Sequence, residues 1–90
     1  MIVKQTNLGE YLREKRIQAE LSQIEVARIL KCRSQFISNW ERGDSAPPWR
    51  LLKVLVRIYR IEESEIMDFL LKEQTTFIRK QLGFSRKSAG

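Results

Sequence analysis

Apolar residues recur along this chain at intervals of three and four, the spacing that gathers them on one side of an α-helix, and strand-like alternation is missing. The pattern predicts an all-α fold of five helices. Leu8, Leu12 and Ile17, with Tyr11 alongside, mark a first amphipathic helix from about Asn7 to Gln18. Ser22 followed three residues later by Glu25 forms a capping box, which predicts a second helix from Gln23 through Val26, Ala27 and Ile29 to Leu30. Lys31, Cys32 and Arg33 make a tight connection to a third helix, where Phe36, Ile37 and Trp40 are spaced as a buried stripe and Gly43 stops the run after Arg42. The stretch from Gly43 to Pro48 is the one clear loop. Proline suits the start of a helix, so a fourth is predicted from Pro48 or Trp49 to Tyr59, with Leu51, Leu52, Leu55, Val56 and Ile58 mostly core. Glu62, Glu63 and Glu65 then place negative charge where it complements a helix N-terminus. No Gly or Pro interrupts the chain from there to Leu82, which predicts an extended fifth helix of roughly 30 Å ending at Gly83.

Ninety residues can bury one small core. The balance of 17 Lys and Arg against 11 Asp and Glu leaves +6, which favours a polyanionic partner. The amino-terminal residues lack a signal-peptide hydrophobic region and no apolar run is long enough to span a bilayer, so a soluble cytoplasmic protein is expected. With no histidine and a single cysteine, Cys32, the chain can form neither an internal disulfide nor a Cys/His zinc site, and Cys32 is expected as a small buried apolar residue. The commonest general base is missing, as are Gly-rich phosphate loops and paired-carboxylate motifs. Neither an enzyme nor a cofactor nor a metal is expected.

Two short helices that cross steeply need a small residue in the first and bulky or branched ones in the second. Counting from Gln23, Ala27 is the fifth residue, Ile37 the fifteenth and Trp40 the eighteenth, with Val26, Leu30 and Cys32 filling the remaining buried places. Through LSQIEVARIL (Leu21 to Leu30) and SQFISNWERG (Ser34 to Gly43), the chain resembles the Cro and phage-repressor type (XRE-like) helix-turn-helix family. The similarity extends back over LGEYLREKRIQ (Leu8 to Gln18) and forward over PPWRLLKVLVRIYRI (Pro47 to Ile61), roughly two thirds of the chain.

The resemblance implies a five-helix lambda-repressor-like DNA-binding domain over residues 1–66, its third helix lying in the major groove of double-stranded DNA and its dimers covering two half-sites about one turn apart. By position, Gln23 matches the family glutamine that bonds a backbone phosphate, while Ser34, Gln35, Ser38 and Asn39 match the positions that read base edges. Gln35 and Asn39 lead that set because an amide can bond adenine N6 and N7 together. Lys31, Arg33 and Arg42 flank the third helix as phosphate contacts, and Arg16 and Glu41 match the family's internal ion pair between the first and third helices. Two positions depart from the family pattern. Lys31 stands where glycine is frequent, and Arg33 stands where a Ser or Thr cap is usual, which makes Ser34 an alternative cap of the third helix; in that alternative its side chain is withdrawn from base reading.

Beyond the domain, residues 67–84 continue the apolar pattern. Leu70, Phe77 and Phe84 recur every seven residues, as do Leu71 and Ile78, and Leu82 extends the same side. Such repeats mark a seam against another helix, and homodimerisation is the expected use. A different protein partner, as in an antitoxin-like module, and folding back onto the domain are the alternatives. Residues 85–90 are expected to form a disordered basic tail. Trp40 is expected in the core and Trp49 at a surface or interface. The function expected is that of a dimeric transcriptional regulator, a repressor, on a palindromic operator.

Overall fold

The computed structural model describes residues 8–83. Among them the chain forms five helices and no strand: α1 (Leu8–Gln18), α2 (Gln23–Leu30), α3 (Ser34–Arg42), α4 (Trp49–Ile58) and α5 (Glu63–Leu82). The expected tail at 85–90 and Phe84 of the heptad pattern lie outside the described residues.

Helix ends in this chain follow one device repeated four times. The residues Glu20, Lys31, Gly43 and Arg60 are all left-handed, and in each case the next N–H reaches back five residues to a helix carbonyl: Leu21 to Arg16, Cys32 to Ala27, Asp44 to Asn39 and Ile61 to Val56. This is the Schellman arrangement, which satisfies orphan carbonyls and tucks the following apolar side chain inward. Ile61 is buried, while Leu21 and Cys32 lean half-buried on the core. Three of the four positions carry a long charged side chain instead of glycine, at a cost of about 1 to 2 kcal/mol each. Lys31 is one of these, so the turn between α2 and α3 takes a left-handed residue without a glycine to supply it.

Leu12, Val26, Ala27, Ile37, Trp40, Leu52, Leu55, Tyr59, Ile61 and Ile66 form the core, with every helix contributing. α3 runs through its middle, packed on both α2 and α1. Burial departs from the sequence pattern at three places. Ile17, at the end of α1, is exposed, because successive apolar residues at 8, 12 and 17 drift round the helix. In α4, Leu52 and Leu55 are buried but Leu51, Val56 and Ile58 are only partly so. Phe36 stands out from α3 with 47% of its surface exposed, since the inner stripe of that helix consists of Ile37, Trp40 and the polar Glu41.

The approach of α1 to α3 depends on Gly9. A Cβ added there would sit 2.5 Å from the carbonyl oxygen of Trp40 and 2.7 Å from that of Glu41, so one helix backbone rests directly on the other. Gly9→Ala is therefore expected to destabilise the domain despite a helix-propensity gain of up to about 1 kcal/mol. Forcing the backbones apart should give a net loss of roughly 1 to 3 kcal/mol. Thermal melting followed by circular dichroism checks this, and an unchanged or raised midpoint would show that the contact is slack.

α5 splits into two parts. Its first turns are anchored: Ile66 is buried, Leu70 packs on the core, Phe69 stacks on Tyr11 at 4.2 Å between ring centroids, and Glu65 accepts from the Tyr11 hydroxyl and pairs with Lys15. Those two partners hold the Glu65 carboxyl below its ordinary range, the Lys15 bond being the larger cause. From Leu71 onward the helix is almost wholly exposed.

Candidate nucleic-acid interface

α3 presents two faces of opposite chemistry. On the inner side, Glu41 accepts hydrogen bonds from Arg16 Nε at 2.7 Å, Arg16 Nη2 at 3.0 Å and Gln23 Nε2 at 3.0 Å, while Arg16 Nη1 donates to the carbonyl of Leu21 at 2.9 Å. Both side chains of the ion pair are largely out of water, 10% exposed for Arg16 and 4% for Glu41. The Glu41 bond raises the Arg16 guanidinium above its already high value, so it remains charged at any working pH. Together with the Gly9 contact about two turns earlier in α1, this network fixes the attitude of α3 on the domain.

On the outer side, four polar residues form one row. Arg42 donates from Nη1 to Ser38 Oγ at 2.6 Å and from Nη2 to Asn39 Oδ1 at 2.7 Å, and Gln35 Nε2 donates to the same Asn39 oxygen at 3.1 Å. Asp44, in the loop just after the helix, grips the other edge of Arg42 from 2.9 and 3.1 Å. The expected reading residues Gln35, Ser38 and Asn39 are thus brought together on one face and held in register by Arg42.

The expected phosphate contacts fall into two groups. Lys31 and Arg33 are exposed beside the amino end of α3, and among the described residues their side chains make no hydrogen bond or ion pair. Gln23 and Arg42 are engaged internally instead: the Gln23 amide turns inward to Glu41, and the Arg42 fork is shared between Asp44 and the α3 row. For Arg42 the cause is Asp44, two residues away, whose carboxylate is the nearest counter-charge. Arg33, not Ser34, is the cap residue of α3, and it makes no side-chain cap bond. The Ser34 side chain is consequently not consumed by capping; it lies half-buried in the first turn.

Of the expected dimer residues, Leu70 is partly buried against its own domain, because α5 is still docked at that turn. Leu71, Phe77, Ile78 and Leu82 are exposed. Trp40 is buried and Trp49 is 76% exposed. Cys32 leans on the core, where burial pushes its thiol up and keeps it neutral. Among the described residues no cluster of side chains could hold a metal ion, and no helix is long and apolar enough to cross a membrane.

Sequence reasoning missed Gly9, Asp44 and the exposure of Phe36. Gly9 carried a weak signal, a glycine in the first turn of a predicted helix, where only a close neighbour would explain it. A family model described as a helix-turn-helix domain matches residues 7–69. Comparisons with curated proteins and with solved structures find no match.

Proposed function

This chain belongs to the helix-turn-helix domain family, and on that premise we propose that it is a sequence-specific regulator of transcription, binding double-stranded DNA with α3 in the major groove. The observation that carries this is the pre-arranged row of Gln35, Asn39, Arg42 and Ser38 on the outer face of a helix whose inner face is rigidly seated. A recognition helix needs both, because base-edge contacts discriminate only if their donors and acceptors are held in place. Lys31 and Arg33 supply sequence-independent attraction to phosphates beside the helix entrance.

Within the family, the segments LSQIEVARIL and SQFISNWERG favour the Cro and phage-repressor (XRE-like) branch. Its dimeric mode of binding is supported by the free apolar side chains on the outer part of α5, Leu71, Phe77, Ile78 and Leu82, which suit a second copy of the chain. A repressor is the form of regulator we infer, since repression needs only occupancy of an operator. Its place is the cytoplasm and its activity is binding, with no catalysis and no cofactor.

Binding selection by the full chain from a random double-stranded DNA pool, at about 0.15 M salt where long-range attraction is screened, tests this reading. A palindromic motif is the expected product, reporting readout and two-fold symmetry at once. For the recovered site, affinity should fall with salt; two phosphates per protomer, at Lys31 and Arg33, give a dimer a log–log slope of about −4. Recovery of no motif would overturn the reading and leave the α5 stripe as the docking surface of an antitoxin-like module for a different protein.

A further inference from the structure

We infer that Phe36 is a specificity-determining residue, an apolar reader of a thymine 5-methyl group beside the bases met by Gln35 and Asn39. This rests on the DNA reading above and adds to it a contact of a different chemistry. At about 100° of rotation per residue, Phe36 lies about 60° from Asn39 on the side away from Ser38, so the ring borders the polar row. It belongs to the first turn of α3, the end of a recognition helix that enters the groove.

Three observations set Phe36 apart from an ordinary surface residue. It is half exposed although its spacing with Ile37 and Trp40 places it in an apolar stripe. One side leans on the buried Trp40, 6.5 Å between centroids at an interplanar angle of 34°, so the ring is propped by a side chain that itself cannot move. It is the one large apolar side chain left exposed on α3, the other exposed positions of that helix being polar. In the major groove the thymine methyl is the only apolar feature of the four base pairs, and a fixed aromatic edge is a surface that distinguishes it.

The test uses the full chain and the site recovered by selection. Each thymine of a half-site is replaced in turn by deoxyuridine, which deletes the methyl and leaves every hydrogen-bonding group in place. The wild type should lose about three- to tenfold in affinity at one position, the size expected for one methyl returned to water. Phe36→Ala should bind the thymine site more weakly by a similar factor and show no further loss with deoxyuridine there. Because the ring is half exposed, the variant should fold, which a melting curve verifies. A wild type indifferent to every deoxyuridine, a selected half-site without thymine, or a Phe36→Ala protein that keeps the methyl sensitivity would each overturn the inference while leaving DNA binding intact. A selection that yields no motif would instead overturn the DNA reading, and this inference with it.

Discussion

Arg16→Met should cost the domain roughly 3 to 5 kcal/mol, the largest single-residue effect expected in this chain, because it strands a buried carboxylate. Glu41 accepts three hydrogen bonds from two neighbours, and two of them come from the bidentate guanidinium. With Arg16 removed, only the Gln23 amide remains on a side chain that water scarcely reaches. Small domains have about 5 to 15 kcal/mol in total, so such a loss should leave a substantial unfolded fraction at physiological temperature. The paired change Arg16→Met with Glu41→Leu removes both charges and should recover most of the stability, since apolar replacement of a buried pair is often close to neutral. Urea titration of the three variants reads this directly. A single variant as stable as the wild type would mean that the carboxylate finds water, and a double variant no better than the single would mean that the pair's shape, not its charge balance, is what the core requires.

The two halves of this network differ in how far the sequence revealed them. Helix boundaries were legible because capping box, proline and glycine signals sit at the ends: Ser22 and Glu25 bond reciprocally as the spacing predicts. The left-handed residues Glu20, Lys31 and Arg60 carry no such signal, because nothing in a charged side chain advertises positive φ; tertiary packing of the next apolar residue imposes it. Burial was less legible than periodicity. Phe36 and Ile17 obey the apolar spacing yet face outward, while Glu41 and Arg16 break it yet lie inside, because each pair member makes the other's burial tolerable. Apolar pattern alone cannot foresee a polar residue that occupies the inner stripe and pushes the stripe's edge to the surface. The same limit applies to the outer face. Sequence spacing puts Gln35, Ser38 and Asn39 on one side of α3, but only the fold shows that Arg42, clamped by Asp44, ties them into one row.

That coupling shapes the second large effect. Gln35→Ala with Asn39→Ala should abolish preference for the selected site over random DNA, where good amide–base pairs contribute about 1 to 3 kcal/mol each, and should leave nonspecific affinity and melting temperature nearly unchanged. Asn39 Oδ1 already accepts from both Gln35 and Arg42, so in this arrangement the pair offers the groove the free oxygen of Gln35 and the amide donors of Asn39. An adenine, with its N6 donor and N7 acceptor, can be met by the two side chains jointly as well as by either one alone. Joint reading has a measurable signature. Each single variant should lose nearly as much discrimination as the double, because removing Gln35 also releases Asn39 to turn toward Arg42, and the losses in a double-mutant cycle should fall short of additivity. Competition binding on the selected site and on a scrambled duplex supplies all four corners of the cycle. Additive losses would show that the two amides read separate bases; equal losses on both duplexes would show that neither reads a base and that α3 contributes only to backbone attraction.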